Sequence, residues 1–159
     1  MLFKNYKIDD ITYIENLKKE VKKNVNSYFS YKTNVKGKMT DWSYFSNKNN
    51  IFKKVEDLLF EYKIYQAWGT ILNKGDYVVE HDHICTNLTN FYINISGVIY
   101  LTDVGPGTYF KEFNKTIKPE IGKIIIFNSE YRHAVEKYDK NEDRITIGFN
   151  GRRKEAYEF

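Results

Sequence analysis

Several features that would identify common protein classes are scarce in this 159-residue sequence. Cys85 is its only cysteine, so no intrachain disulfide can form. Only two prolines occur, which does not fit a disordered or fibrous composition. No run approaches the roughly 18 apolar residues of a membrane span, and the N-terminus lacks the apolar stretch of a signal peptide. These absences lead us to expect a soluble, cytoplasmic protein without membrane contact.

Charge of one sign is not concentrated either. The formal net charge is +4, and lysines alternate with acidic residues along the chain. A nucleic-acid footprint needs a contiguous basic stripe. The one tight basic cluster is Arg152-Arg153-Lys154, which is typical of a solvated tail. The sequence therefore carries no strong nucleic-acid signal.

The first third of the chain has the apolar period of helices. Between Asp9 and Phe29 apolar residues recur at steps of three and four, which predicts an amphipathic helix with Asp9 or Asp10 as its N-cap. The same period predicts a second helix over 50–62. The aromatic share is 17%, and strands favour such residues.

After Lys63 short β-rich runs alternate with turn residues, which is typical of a sandwich or barrel. We predict an α+β, mainly β fold: a double-stranded β-helix, or jelly roll, with N-terminal supporting helices. We predict one domain over 1–159, with a helical support segment at 1–63, a jelly-roll core at 64–150 and a C-terminal tail at 151–159. The predicted strands are Ile64–Leu72, Tyr77–His83, Asn90–Leu101, Gly107–Phe113, Lys123–Phe127, Ala134–Lys137 and Arg144–Asn150.

Histidine is rare, and all three copies form one pattern: His81 and His83 lie two residues apart, and His133 follows fifty residues later. Alternate residues of a strand point to the same face, so His81 and His83 are expected to share a direction. His133, at the start of a later strand, can supply a third ligand. Three protein ligands leave open positions on a metal ion, as in catalytic sites. The alternatives are ordinary strand histidines, or Asp82 turned inward by a bulge in place of His83.

Motifs around these histidines give the sequence a family resemblance. From Trp68 to Asn150 it resembles the 2-oxoglutarate/Fe(II)-dependent oxygenases, in particular a small bacterial and phage group. The motifs follow in this order: Trp68-Gly69-Thr70, Gly75-Asp76-Tyr77, His81-x-His83, Ser96-Gly97-Val98-Ile99-Tyr100, Gly107-Thr108-Tyr109-Phe110, Pro119-x-x-Gly122-x-x-x-x-Phe127, His133 and Arg144-x-Thr146-x-x-Phe149-Asn150.

The resemblance implies an iron site and a cosubstrate site. Iron(II) would be held by His81, His83 and His133. The far carboxylate of 2-oxoglutarate would bind Arg144, whose planar guanidinium suits a bidentate carboxylate contact. Thr146, two residues further along the strand, can donate a hydrogen bond to the same carboxylate. The alternatives are a surface Arg144 paired with a neighbouring acid and a Thr146 that only favours the strand.

Tyrosines form a weaker set of candidates for contact with the cosubstrate or substrate. Tyr92, Tyr100 and Tyr109 lie on predicted strands, where a core role is more typical for most of them, and Tyr100 is included with the cosubstrate site. Ser96 and Asn150 are possible polar lining residues, and packing is the default for Trp68. Cys85, two residues after His83, is a conceivable extra ligand, although a small buried apolar role is more typical.

One departure from the superfamily concerns the ligand set. Most of its members use two histidines and one carboxylate, and here His83 stands at the carboxylate position. An all-histidine site carries more net positive charge, which can change the redox behaviour of the iron.

The leading hypothesis is an Fe(II)- and 2-oxoglutarate-dependent dioxygenase, which hydroxylates a substrate while 2-oxoglutarate becomes succinate. A cupin-type metalloenzyme that does not use 2-oxoglutarate is the second, although the glutamate of the first cupin motif is missing after His83. The third is a non-catalytic jelly-roll binding module, which predicts no interior metal and no inward Arg144. The sequence does not distinguish a small molecule, a peptide or a nucleotide as substrate, and it does not indicate the oligomeric state.

Overall fold

Two antiparallel β-sheets face each other in the computed structural model, which describes residues 3–27, 33–46, 50–83 and 93–158. The strands are β1 (Lys4–Lys7), β2 (Val35–Lys36), β3 (Lys38–Met39), β4 (Tyr62–Leu72), β5 (Tyr77–His81), β6 (Ile95–Tyr100), β7 (Thr108–Phe110), β8 (Lys115–Ile117), β9 (Lys123–Asn128), β10 (His133–Val135) and β11 (Arg144–Arg153). The helices are α1 (Ile11–Asn24) and α2 (Lys53–Leu58), with short 3-10 turns at Asn50–Phe52, Lys111–Phe113 and Ala156–Glu158.

The strand order identifies the fold. The larger sheet has the order β1-β9-β6-β11-β4-β3, and the smaller sheet has the order β2-β5-β10-β7-β8. From β4 onward the chain passes back and forth between the sheets, because β4, β6, β9 and β11 lie in the larger sheet and the intervening strands in the smaller one. This alternation is the topology of a double-stranded β-helix, so the predicted fold class is confirmed.

The larger sheet buries both of its faces, since successive side chains of a strand point to opposite sides. On β11, Ile145, Ile147 and Phe149 pack against the helices in one hydrophobic cluster. Arg144 and Thr146 on the same strand point into the space between the sheets, where they line the interior cavity. The helices therefore stabilise the larger sheet from outside, and the functional residues occupy its inner face.

The first helix begins where the sequence predicts. The Asp10 side chain accepts a hydrogen bond from the backbone N–H of Tyr13 at 3.0 Å, which caps the helix. Ile14, Leu17 and Val21 are fully buried on the sheet. The helix ends at Asn24, earlier than predicted. In the described part of the chain, no helix has the length and apolar character needed to cross a membrane.

The N-terminal 63 residues, predicted as helical support, also supply three strands: β1, β2 and β3. These strands are two to four residues long and acquire their partners from distant parts of the chain, as β1 does by pairing with β9. Such short polar segments have no periodicity to detect in sequence.

Several predicted element ends are wrong. The second helix was predicted to reach Tyr62 but ends at Leu58, and Tyr62 already begins β4. The strand predicted over Gly107–Phe113 ends at Phe110, because a 3-10 turn follows and Asn114 adopts a left-handed φ of 46° that reverses the chain into the unpredicted β8. The last strand runs to Arg153 rather than Asn150. The start of the strand predicted over 90–101 lies outside the described residues.

We expect Gly69 to control how closely helix α1 packs on the sheet. A Cβ at Gly69 would lie 2.6 Å from Val21 Cγ2. Gly69→Ala should therefore destabilise the fold by about 1–3 kcal/mol through overpacking. The double variant Gly69→Ala/Val21→Ala should be less destabilised than the sum of the single variants, by roughly 0.5–3 kcal/mol. Urea unfolding of the four proteins measures this coupling, and strict additivity would contradict the contact.

Candidate metal centre

A cavity of about 70 Å³ lies between the two sheets. Much of its lining is apolar, contributed by Val35, Trp68, Val78, Val98, Phe127 and Val135. Its polar lining consists of Thr70, His81, His83, Ser96, Thr108, His133, Arg144 and Thr146. All three histidines of the chain and one arginine thus share a single small interior space.

The three imidazoles converge through their Nε2 atoms. The Nε2 of His83 lies 3.0 Å from that of His81 and 3.3 Å from that of His133. His81 on β5 and His133 on β10 are direct cross-strand partners, and the backbone N–H of His83, just beyond β5, donates to Ser129 O at 2.8 Å. The sheet thus aligns two of the rings, and a loop contact holds the backbone of the third.

A register shift on β5 gives His81 its inward direction. His133 pairs with His81, whereas Val135 pairs with Val78, so two residues of β5 lie opposite one residue of β10. A β-bulge of this kind changes which side chains face inward. Val78 and His81 both line the cavity as a result, and Val79 is exposed. The expected shared direction of His81 and His83 agrees with the structure, and the register shift lies before His81, between Val78 and His81.

The hydrogen bonds of the outer ring nitrogens determine where the lone pairs lie. The Nδ1 of His81 lies 2.6 Å from Val79 O, and the Nδ1 of His133 lies 3.0 Å from Tyr131 O. A carbonyl only accepts, so each of these Nδ1 atoms carries the proton of its neutral ring and each Nε2 carries a lone pair. Both lone pairs point toward the Nε2 of His83, which can donate a proton to only one of them. This arrangement calls for a cation at the centre.

Burial keeps the imidazole rings of the triad in their neutral form. Desolvation lowers the pKa of His133 to about 4, with a further contribution from His81. The pKa of His83 lies well below the usual histidine value, through desolvation and then the neighbouring imidazoles, and desolvation also lowers the pKa of His81. Neutral imidazole is the form that binds metal ions.

The Nε2 atoms of His81 and His133 each lie at a distance from His83 Nε2 that fits one metal ion, and the three donor atoms all lie within 4.8 Å of one another. Two nitrogens held at about 2.1 Å from one ion are roughly 3.0 Å apart at a right angle and roughly 3.4 Å apart at the tetrahedral angle. The observed separations of 3.0 and 3.3 Å lie in this range. Among the described residues, these three histidines form the group that could hold a metal ion, and Asp82 is not part of it. The outward Glu80 lies near Lys111 and Arg132.

Arg144 is the second charged group of the cavity, and it is almost fully buried, with 2% of its surface exposed. Its Nε donates to Pro106 O at 2.8 Å, and its guanidinium lies over the Tyr100 ring. No carboxylate forms a salt bridge with it within the described ranges. Desolvation lowers the pKa of Arg144. The alternative of a surface arginine paired with a neighbouring acid is therefore wrong.

The Thr108 hydroxyl contacts the guanidinium, and other hydroxyl groups line the same cavity. Thr108 Oγ1 lies 3.5 Å from Arg144 Nη2 and 2.6 Å from the Tyr100 hydroxyl. Thr146 and Thr70 are cross-strand partners that both line the cavity. Thr108 was not singled out from the sequence, although it stands in a motif that carries the resemblance. Strand alternation could have identified Thr108 in the sequence. It turns Thr108 inward and Tyr109 outward, where the Tyr109 hydroxyl donates to Asn114.

The remaining candidates lie in different surroundings. Tyr92 and Cys85 lie outside the described residues. Ser96 lines the cavity and donates to Asn150 Oδ1 at 2.8 Å, and the Asn150 amide donates in turn to Gln66. Trp68 lines the cavity beside the triad rather than serving only in packing.

Comparisons with known proteins agree with the resemblance found in the sequence. Residues 108–150 match a family model described as "Putative 2OG-Fe(II) oxygenase". This segment is less than half of the chain, and it includes Thr108, His133, Arg144 and Thr146. No curated protein sequence matches the chain significantly.

Solved structures resemble the chain over nearly its whole length. The viral collagen prolyl hydroxylase of Paramecium bursaria Chlorella virus-1, in complex with 2-oxoglutarate, has a TM-score of 0.74 at 15% identity and covers 97% of both chains. HygX of Streptomyces hygroscopicus, with nickel and 2-oxoglutarate bound, has a TM-score of 0.71 at 9% identity, with coverage of 96% of this chain and 83% of HygX. A prolyl-4-hydroxylase of Pseudomonas putida has a TM-score of 0.65 at 13% identity, with coverage of 96% and 93%. At these identities the likeness establishes the shared fold.

The triad can be tested through its imidazole signals, because the chain has no other histidine. Titration with Zn²⁺ should shift all three rings in ¹H–¹⁵N spectra, with His81 and His133 in the Nδ1–H form. His81→Ala and His133→Ala should each weaken binding by more than about 100-fold, since even the loss of an outer partner of a ligand costs about 10–100-fold. Glu80→Gln is the matched control, because the Glu80 carboxylate points outward. This variant should bind Zn²⁺ with the affinity of the wild type. Unshifted imidazole signals would contradict a metal site.

Proposed function

We propose that this protein is an Fe(II)- and 2-oxoglutarate-dependent oxygenase that hydroxylates a substrate still to be identified. The observation that carries the proposal is that one cavity holds both a group of neutral nitrogen ligands for a metal cation and a buried arginine without a carboxylate partner among the described residues. The ligands belong to His81, His83 and His133, and the arginine is Arg144.

The triad would hold iron(II) through three neutral nitrogens. Three protein ligands leave coordination positions open for a chelating cosubstrate and for dioxygen. When bound, iron and 2-oxoglutarate supply the oxidising chemistry, in which 2-oxoglutarate becomes succinate and CO₂ and the substrate gains a hydroxyl group, as in a dioxygenase. The side chains of this protein orient the bound molecules and exclude water from them.

Arg144 would bind the far carboxylate of 2-oxoglutarate. An ion as deeply buried as this guanidinium is costly unless an opposite charge reaches it. Thr108 and Thr146 add hydroxyl groups on the same side of the cavity, and the Tyr100 hydroxyl reaches the site through Thr108. Tyr100 therefore acts on the cosubstrate indirectly, by orienting Thr108.

Charge balance also favours a dianionic cosubstrate. Three neutral imidazoles leave the full 2+ charge on a bound iron ion, whereas a ligand set with one carboxylate would leave 1+. Arg144 adds another positive charge to the same low-dielectric cavity, where unbalanced charge is expensive. The two carboxylates of 2-oxoglutarate offset most of this charge.

The competing functions account for fewer of these observations. A cupin-type metalloenzyme that does not use 2-oxoglutarate would explain the triad but not a buried, unpaired Arg144 beside it. A non-catalytic binding module would require neither feature. We propose a small molecule, a peptide or a nucleotide as the substrate. We also propose that residues 1–159 form one domain.

Arg144→Ala tests the cosubstrate site. We expect the affinity for 2-oxoglutarate to fall about 10–100-fold, since hydrogen bonds to a charged group contribute about 1.5–3 kcal/mol and each 1.4 kcal/mol is a factor of ten. Calorimetry on nickel-loaded protein measures this binding without turnover, and succinate formation with iron measures the reaction. Arg144→Lys should recover only part of the affinity, because lysine lacks the bidentate geometry.

Arg153→Ala is the matched control for this experiment. It removes an arginine from the same strand, but an exposed one whose nearest acid is Glu61 outside the cavity. We expect unchanged binding of 2-oxoglutarate. If Arg144→Ala binds and converts 2-oxoglutarate as the wild type does, or if iron-loaded wild type forms no succinate, the proposed function is wrong.

A further inference from the structure

His83 is supported differently from the other two histidines of the triad. His81 and His133 lie on paired strands, and backbone carbonyls hold their Nδ1 atoms. His83 lies beyond the end of β5, and in the described part of the chain its Nδ1 has no hydrogen-bond partner. Its ring therefore needs another support if it is to aim Nε2 at the centre of the triad.

Aromatic packing supplies that support. The His83 ring stacks on His133, with centroids 5.0 Å apart and planes 15° apart. It also lies near the indole of Trp68, with centroids 6.0 Å apart and planes 30° apart. The His133 ring is nearly parallel to the His83 ring and the Trp68 indole is tilted by 30°, so rotation of the His83 ring about its side-chain bonds would change both contacts.

The Trp68 indole is itself held in place. Trp42 packs edge-on against it at a centroid distance of 4.5 Å. On the neighbouring strand β11, Gly148 pairs with Trp68, and a Cβ at Gly148 would lie 2.7 Å from the indole Cζ2. A glycine at this position leaves the space that the indole occupies beside the triad.

We propose that Trp68 is a positioning residue that orients His83 as the third metal ligand, with Trp42 and Gly148 fixing the indole. This inference rests on the proposed metal site. A hydrogen bond from Nδ1 orients the rings of His81 and His133, whereas aromatic packing orients the ring of His83. His83 can therefore complete the triad although it lies outside regular strand pairing. Support of this kind around a ligand typically changes metal affinity about 10–100-fold.

The test is metal binding to the whole protein with Co²⁺ alone as the probe. Trp68→Leu should weaken Co²⁺ binding by about 10–100-fold and change the visible Co²⁺ spectrum, which reports coordination geometry. Trp68→Phe should restore most of the affinity, because a phenyl ring can still pack on His83. Gly148→Ala should weaken binding in the same direction while keeping the indole, since it displaces Trp68 rather than removing it.

Phe45→Leu is the matched control. Phe45 is a fully buried aromatic residue, but it belongs to the cluster between the helices and the larger sheet. It should lower the melting temperature and leave Co²⁺ affinity and spectrum unchanged. Wild-type affinity in Trp68→Leu and Gly148→Ala, or an equal loss in Phe45→Leu, overturns the inference while leaving the metal site intact. A wild-type protein that does not bind Co²⁺ at all overturns the proposed metal site and this inference with it.

The two tryptophans give a second readout, since the chain contains no others. In Trp42→Phe the remaining tryptophan fluorescence, excited selectively over the tyrosines, comes from Trp68 alone. Co²⁺ held by the triad should quench that fluorescence along the same binding curve as the visible spectrum. Zn²⁺, which has a filled d shell, should bind with little quenching and serves as the control ion. Co²⁺ binding without quenching would show that the indole is not beside the bound ion, which contradicts the inference.

Discussion

Three imidazole nitrogens that point at one another in a desolvated interior impose the main physical constraint on this protein. The backbone carbonyls of Val79 and Tyr131 keep the Nδ1 protons of His81 and His133, so two lone pairs face the Nε2 of His83. Burial and mutual repulsion hold the imidazole pKa values down, so protonation near neutral pH does not relieve the contact. A metal ion would relieve it, because it can accept a lone pair from each of the three rings.

The rest of the cavity follows from that centre. A bulge on β5 turns His81 inward, cross-strand pairing brings His133 opposite it, and aromatic rings hold His83. Arg144 lies in the same cavity without a salt bridge to any described residue, and the Thr108 hydroxyl contacts it. Such a buried charge is weak support for folding. The natural explanation is a bound anion that Arg144 and a metal ion in the triad would share.

The helical segments contribute to this site without touching it. They cover the outer face of the larger sheet, where Gly69 allows α1 to approach closely and the isoleucines of β9 and β11 are buried. The inner face of the larger sheet is thereby free to carry polar residues such as Thr70, Ser96 and Arg144. The outer face of the larger sheet contributes hydrophobic stabilisation, and its inner face carries the candidate functional residues.

The sequence by itself determined the fold class and most of the candidate site. Strand-rich segments after the helices predicted the double-stranded β-helix, the spacing of the three histidines predicted a metal site, and the family resemblance implied Arg144 as a carboxylate anchor. Short strands such as β1 and β8 were not predictable, because they acquire their partners from distant residues. Only the tertiary structure decided that Val78 and His81 both face the cavity, since one extra residue on β5 interrupts the alternation between them. It also decided that Thr108 and Trp68 border the site, because a cavity wall is formed by contacts between strands and not by order along the chain.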